Sequence, residues 1–272
     1  MTFSEEQIVR YSRHIILQNV GGKGQEKLLR SKVLVIGAGG LGSPISLYLA
    51  AAGVGTLGIA DADRVDLSNL QRQILHFTPD VGNLKVESAR EKLEQLNPDV
   101  NIRIYNQRVT ADNIAELIRD YDFIVEGTDN FPSKFLVNDA CVFYDKPFSQ
   151  GGILRFDGQT MTHIPGSACY RCVFESPPPK GVVPSCSEAG VLGAVAGILG
   201  TIQAAETLKA LLGVGELLVD KVLYINVLSM DFSTISIARN PECAVCGENP
   251  TITQLREYEQ PACELEVPEA AR

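Results

Sequence analysis

The chain is short of positive charge: its 272 residues hold 24 lysines and arginines against 33 aspartates and glutamates, for a net charge of −9. That balance argues against a general nucleic-acid binder, although it leaves room for a local basic pocket around a triphosphate. The sequence has no internal repeat at solenoid spacing and no low-complexity tract, which removes repeat arrays and disordered spacers. Its opening residues, MTFSEEQIVRYSRH, are charged and amphipathic and do not read as a signal peptide. The most apolar stretch, AGVLGAVAGILGTIQAAETLKALL, meets Gln203, Glu206 and Lys209 too soon to span a bilayer and reads as a buried helix. The expectation is a cytoplasmic protein with neither a nucleic-acid nor a membrane partner.

A hydrophobic content of 45% is enough for a sizeable core, and the length suits one large α/β domain or two small ones. Four of the seven cysteines form two Cys-x-x-Cys pairs, Cys169/Cys172 and Cys243/Cys246. In a cytosolic chain such pairs read as metal or redox sites rather than a disulfide framework. Cys141, Cys186 and Cys263 stand alone; Cys141 lies on an apolar helix and reads as core.

The chain is organised around Lys32–Gly42, KVLVIGAGGLG. A short apolar run is followed by glycines at 37, 39, 40 and 42 and then by a helical pattern, which reads as buried strand, tight turn and helix start. Glycines let backbone N–H groups approach a phosphate, and a helix N-terminus favours negative charge. A second strand over 54–60 ends at Asp61, and an acid there can bond a ribose hydroxyl. Both features suit NAD as well as ATP.

Strands are expected over 101–106, 122–127 and 146–153, with helices between them. The alternation from 32 to 152 predicts a doubly wound, mostly parallel, Rossmann-like sheet. Asp129 follows the 122–127 strand, where ligands of open α/β sheets bind, although Asp-Asn also caps helices. Arg72 lies in a segment, VDLSNLQRQILHF, dense in amides and leucines, and its planar fork could clamp phosphate oxygens. Lys85 starts an amphipathic helix. Residues 4–18 place Ile8, Tyr11, Ile15 and Ile16 near one helical face, with Ser4 as N-cap and Arg13 on the polar side. After Gly152 the pattern turns antiparallel: a hairpin around Asp157-Gly158, an irregular loop over 165–187, the apolar helix over 189–212, and two strands over 221–227 and 231–238.

Seven segments together resemble the MoeB/ThiF/HesA family, the prokaryotic relatives of ubiquitin-activating enzymes: RYSRHIIL, VLVIGAGGLGSP, DADRVDLSNLQRQ, GNLKVESA, EGTDN, CYRCVF and NPECAVCG. They run in the family's order from residue 10 to about 247. The resemblance implies a single adenylation domain over 1–248, made of N-terminal helices over 1–31, a nucleotide-binding core over 32–152 and a carrier-binding and zinc part over 153–248. Residues 249–272 form a tail that resembles the linker before a sulfur-transfer (rhodanese) domain in longer relatives. The implied activity is ATP-dependent adenylation of the C-terminal Gly-Gly carboxylate of a ubiquitin-like sulfur carrier, giving an acyl-adenylate and pyrophosphate ahead of thiocarboxylate formation.

Carried over to matching positions, the resemblance implies that Gly39, Gly40 and Gly42 hold the nucleotide backbone and that Asp61, with Asp63 beside it, binds the ribose. Ser68, Asn69, Leu70, Gln71, Arg72 and Lys85 line the phosphates, and Asp129, next to Asn130, holds Mg²⁺. Arg13 reaches a triphosphate in the partner subunit of a homodimer. Cys169, Cys172, Cys243 and Cys246 form a structural four-thiolate zinc site, with two redox disulfides as the rival. Cys186 matches a cysteine that some relatives use to attach the carrier covalently. A separate sulfurtransferase or cysteine desulfurase would donate the sulfur. The competing functions are an NAD(P)-dependent oxidoreductase and a non-catalytic, zinc-stabilised adaptor; a tRNA-modifying cyclase-type relative is a third option within the family. The molybdopterin, thiamine, thiolated-tRNA and cysteine pathways all use such carriers, and the sequence does not choose among them.

Overall fold

A computed structural model describes residues 3–179 and 189–258. Three short helices lead in: α1 (Glu5–Arg10), α2 (Ser12–Ile15) and α3 (Gly21–Arg30). Ser4 caps α1 as expected, its hydroxyl accepting from the Gln7 N–H while the Gln7 side chain accepts from the Ser4 N–H. The continuous helix expected over 4–18 does not form. The chain breaks at Tyr11, the one member of the expected apolar face that is fully buried, while Ile8 and Ile16 face solvent. The Tyr11 hydroxyl donates to Asp99 at 3.1 Å and accepts from Asn97 at 2.9 Å, so a tertiary anchor overrides the helical period.

The sheet elements follow as β1 (Lys32–Ile36), α4 (Gly42–Ala51), β2 (Thr56–Ala60), α5 (Lys85–Leu96), β3 (Asn101–Tyr105), α6 (Ile114–Arg119), β4 (Phe123–Glu126), α7 (Phe131–Phe143), β5 (Phe148–Leu154), β6 (Asp157–His163), α8 (Tyr170–Val173), α9 (Gly193–Leu212), β7 (Lys221–Asn226) and β8 (Asp231–Ser236). The strand order is β3-β2-β1-β4-β5-β6-β7-β8. Pairings from β3 through β5 are parallel, and those from β5 to β8 are antiparallel. Alternate residues of β1 serve two cores. Val33 and Val35 pack with α4, α5 and α9, while Leu34 and Ile36 pack with α6 and α7. A strand covered on both faces must be apolar at every position, which is why KVLVI shows no alternation. The strand order reverses between β1 and β4, and the crevice outside their carboxyl ends is where such folds bind ligands.

Helix α9 is long and apolar enough to cross a membrane by length and composition. Here it packs on α4, β5 and β6. Its polar residues are used inside: Gln203 donates to the Glu126 carbonyl at 3.0 Å, and Glu206 accepts from Thr162 and from the Leu218 N–H at 2.8 and 2.6 Å. It is a core helix.

The hairpin expected around Asp157-Gly158 turns two residues earlier. Leu154 pairs with Asp157, so Arg155-Phe156 make the turn and Asp157-Gly158 begin β6. Arg155 takes a left-handed φ of 55°, and its N–H and C=O bond the Gly190 carbonyl and the Leu192 N–H. Those long-range bonds, rather than turn-forming residues, fix the bend.

Candidate functional site

The glycine turn after β1 is built to be tight. Gly37 has a φ of 96°, and a Cβ at Gly42 would lie 1.8 Å from the Gly37 carbonyl oxygen. Only hydrogen fits there, so α4 can begin directly against the strand. Two side chains fix the turn at Ala38. Its N–H donates to Asp61 Oδ2 at 2.8 Å, and its carbonyl meets His76 Nε2 at 2.9 Å. His76 is buried and its Nδ1 meets the Ser88 hydroxyl at 2.9 Å. Burial pushes its pKa below the ordinary histidine value, which keeps the ring neutral. Nε2 then carries the proton given to Ala38, and Nδ1 accepts from Ser88.

The carboxyl ends of β1, β2, β4 and β5 open into a cleft of about 830 Å³. Of the residues expected at the nucleotide, Gly39, Gly40, Asp61, Asp63, Arg72, Lys85, Asp129 and Asn130 line it. Lys85 is the first residue of α5 and is nearly buried, with Nζ 2.8 Å from Asp63 Oδ2. Asp63 is 72% exposed, so this pair adds little stability; its consequence is to aim the ammonium into the cleft. Arg72 lies over the turn, its Nη1 donating to the Ser68 carbonyl at 3.1 Å and its stem against Gly40. Asp129 is exposed at the end of β4 and its carboxylate has no hydrogen-bond partner among the described residues, which suits a hard cation shared with phosphates. Asn130 is the N-cap of α7, accepting from the Ser133 N–H at 2.9 Å, so its side chain is already committed.

The remaining expected residues lie elsewhere. Ser68 and Asn69 close a capping turn with Asp66, and Leu70 follows it. The Gln71 backbone packs against Gly193 at the start of α9. Gly42 sits behind the turn, and Arg13 is exposed on α2, outside the cleft of its own chain. Cys186 lies outside the described residues.

Four cleft residues escape sequence reasoning. Arg108, at the end of β3, adds a cation. Lys134 of α7 is buried and bonds Glu126 at 2.7 Å, the Thr128 carbonyl at 2.8 Å and the Gly151 carbonyl. It ties the loop carrying Asp129 to β5. Gln73 and Gln150 are buried at the cleft with unpaired carboxamide atoms. Gln73 closes the DADRVDLSNLQRQ segment; Arg108, Lys134 and Gln150 sit in no motif, and only the folded cleft reveals them.

The four paired cysteines converge. Sulfur–sulfur distances are 3.6 Å for Cys169–Cys243, 3.4 Å for Cys172–Cys246 and 3.9 Å for Cys169–Cys172. Four thiolates around Zn²⁺ at 2.3 Å would stand about 3.8 Å apart, whereas a disulfide requires about 2.05 Å. The Asn240 N–H donates to Cys172 Sγ at 3.3 Å, as expected for a thiolate. The donor set therefore fits a closed tetrahedral site and not a pair of disulfides. Arg171, between Cys169 and Cys172, bonds Asp139 of α7 through two nitrogens at 2.7 and 3.0 Å, and lies over the Phe135 ring. Its neighbours Tyr170 and Phe174 line the cleft, so the cysteine knuckle is built into the cleft wall. Past residue 248 the chain returns to this cluster: Ile252 packs on the cysteines and the Tyr258 hydroxyl bonds Asp139.

Fold and cleft together define a doubly wound α/β nucleotide-binding protein. The ThiF family model matches residues 11–245, and the chain belongs to the ThiF family. It is 46% identical over 265 residues to the sulfur carrier protein adenylyltransferase of Thermus thermophilus, covering 95% of this chain and 98% of that protein. It is 46% identical over 248 residues to the SAMP-activating enzyme E1 of Haloferax volcanii, covering 91% and 92%. Identity to the adenylyltransferase and sulfurtransferase MOCS3 of Aedes aegypti is 45% over 259 residues, 94% of this chain but 59% of that longer protein. The crystal structure of E. coli MccB with ATP matches with a TM-score of 0.76 at 25% identity, covering 87% of this chain and 74% of that one.

Proposed function

We propose that this protein uses ATP to adenylate the C-terminal Gly-Gly carboxylate of a ubiquitin-like sulfur carrier, releasing pyrophosphate and preparing the carrier for thiocarboxylate formation. The observation that carries the reading is the joint presence, in one cleft, of the glycine turn, Asp61, the uncommitted Asp129 and the cations Arg72 and Lys85. Two cations beside a free strand-end carboxylate suit a metal-bound triphosphate better than a dinucleotide, and a non-catalytic adaptor would not need them. The names of the Thermus and Haloferax relatives support the same activity.

In this reading Asp61 receives the ribose and the N–H groups at Gly39 and Gly40 face the phosphates. The carrier carboxylate attacks the α-phosphorus, and the bond to pyrophosphate breaks. Little covalent help is needed: the protein orients the two reactants and places positive charge where the leaving pyrophosphate develops negative charge. Arg72 and Lys85 supply that charge. Mg²⁺, held by Asp129, would neutralise phosphate oxygens. Arg13, exposed on α2 and away from its own cleft, completes the site of a second protomer in a homodimer. Zn²⁺ on Cys169, Cys172, Cys243 and Cys246 is structural. Residues 1–248 act as one adenylation unit, a reading supported by the extent of the family match. The setting is the cytoplasm, where ATP and reduced thiols coexist, and the sulfur comes from a separate sulfurtransferase or cysteine desulfurase. If a Cys186→Ala variant still supports thiocarboxylate formation, that thiol is not part of the mechanism.

The test is pyrophosphate exchange into ATP, measured with a panel of purified MoaD-type and ThiS-type carriers. Exchange that depends on a carrier and on its intact Gly-Gly end is expected. NAD binding with no exchange for any carrier would favour the oxidoreductase.

A further inference from the structure

Among the described residues lining the cleft, Gln150 alone leaves both ends of a buried carboxamide unpaired. It is 3% exposed, and among the described residues neither Oε1 nor Nε2 has a hydrogen-bond partner. A buried amide in that state is destabilising, and native proteins rarely retain one that nothing will satisfy.

Its position narrows what that partner is. Gln150 is in register with Glu126 of β4, three residues before Asp129, and on its other side with Met161 of β6. Beyond it the cleft wall is apolar, formed by Met161, Val222, Tyr224, Tyr170 and Phe174. On the same face of β5, two residues on, is Gly152, where an added Cβ would meet nothing closer than 3.8 Å. Gln150 therefore projects beside a stretch of floor without Cβ, flanked by the Gln159 side chain.

The proposed reaction places the ribose on Asp61 at the end of β2 and the phosphates over the turn that follows β1. In the order β2-β1-β4-β5 the strand bearing Gln150 lies three spacings, roughly 14 Å, from the ribose anchor. This is the side from which a carboxylate must approach the phosphate. In an extended peptide the N–H and C=O of one residue lie on the same edge, and a carboxamide offers the complementary acceptor and donor. Glycine residues, lacking Cβ, can lie flat along such a floor.

We propose that the Gln150 carboxamide binds the backbone of the carrier's penultimate glycine, accepting from its N–H and donating to its carbonyl. Gln150 is a specificity-determining residue: it recognises backbone, and the apolar wall admits a thin, unbranched tail. The inference rests on the adenylation reading above and assigns one residue to the binding of its second substrate.

The experiment measures carrier-dependent pyrophosphate exchange by wild-type, Gln150→Leu and Gln150→Asn proteins. The probe is a recombinant MoaD-type carrier ending in Gly-Gly that supports exchange with the wild-type enzyme. Loss of two hydrogen bonds should raise KM for the carrier about 10- to 100-fold in Gln150→Leu. In Gln150→Asn, whose amide is one methylene short, the rise should be smaller, and KM for ATP should be unchanged in both. A carrier whose penultimate glycine is replaced by sarcosine, which lacks the backbone N–H, should bind the wild type more weakly but cost Gln150→Leu little further. Unchanged KM for the carrier, or a rise in KM for ATP instead, overturns the proposal; the second result would assign the amide to the adenine edge. Unaltered ATP binding shows that each variant is folded. Absence of exchange by the wild type with every Gly-Gly carrier tried would refute the adenylation reading itself, a result distinct from any of these.

Discussion

The imidazole of His76 donates to the carbonyl of Ala38 at 2.9 Å, across the residue whose N–H Asp61 holds. That bond forms in either charge state; the neutral ring is what lets Nδ1 accept from the Ser88 hydroxyl, and burial outweighs the pull of the Ala38 carbonyl toward the charged form. Because burial holds the His76 pKa below its ordinary 6.5, the folded protein binds fewer protons than the unfolded chain in the window just beneath that value. Stability is therefore full above about pH 6.5 and falls as the pH drops through the folded-state pKa. Buried His163 is depressed for the same reason and adds to the slope. Each group contributes at most about 1.4 kcal/mol per pH unit. Denaturant unfolding from pH 7.5 to 5 should show this loss, and His76→Gln should flatten it. A His76→Gln profile parallel to wild type would contradict the neutral-ring account.

The Arg171–Asp139 pair is buried on both sides, at 3% and 1% exposure. Arg171→Met would strand a carboxylate in the interior, which typically costs about 3–5 kcal/mol. The melting temperature should fall by about 6–20 °C. Combining it with Asp139→Leu should recover much of the loss. A single variant that melts like wild type would show that the pair contributes nothing.

Metal analysis should find about one zinc per chain. Cys243→Ser should lower both zinc content and melting temperature, since binding energy at a four-thiolate site is folding energy. Because Tyr170 and Phe174 flank the cysteine knuckle and line the cleft, KM for the carrier should rise more than KM for ATP. Full-length protein with well under half an equivalent of zinc, and disulfides in its place, would contradict the site.

At Gly42 the methyl group of alanine would meet the Gly37 carbonyl at 1.8 Å. Moving the turn or α4 to relieve that contact should cost about 1–3 kcal/mol. ATP affinity, read by calorimetry, should fall in Gly42→Ala and hold in Gly197→Ala, where a Cβ meets nothing within 4 Å.

What the sequence reveals and hides follows from how far apart the interacting residues lie. The β1–turn–α4 unit is legible because its apolar run, glycines and helix are contiguous, and the strand–helix alternation predicts the sheet from the same kind of local signal. The break at Tyr11 is hidden because its partners, Asn97 and Asp99, are more than eighty residues away. The bend at Arg155 is hidden because bonds to 190–192 replace turn chemistry. Within the site, Asp61, Arg72, Lys85 and Asp129 carry recognisable motifs. Lys134 and Gln150 carry none, and only folding shows a lysine clamped across β4 and β5 or an amide left unpaired.

The adenylation account stands or falls on one product. Incubating the protein with a Gly-Gly carrier, ATP and Mg²⁺, then weighing the intact carrier, should reveal the mass of one added adenylyl group. Arg72→Ala and Asp129→Ala should reduce its rate of formation by about 10²–10³-fold, the scale seen when groups stabilising developing charge are removed. No adduct on any Gly-Gly carrier, or an adduct formed equally fast by both variants, would contradict the account.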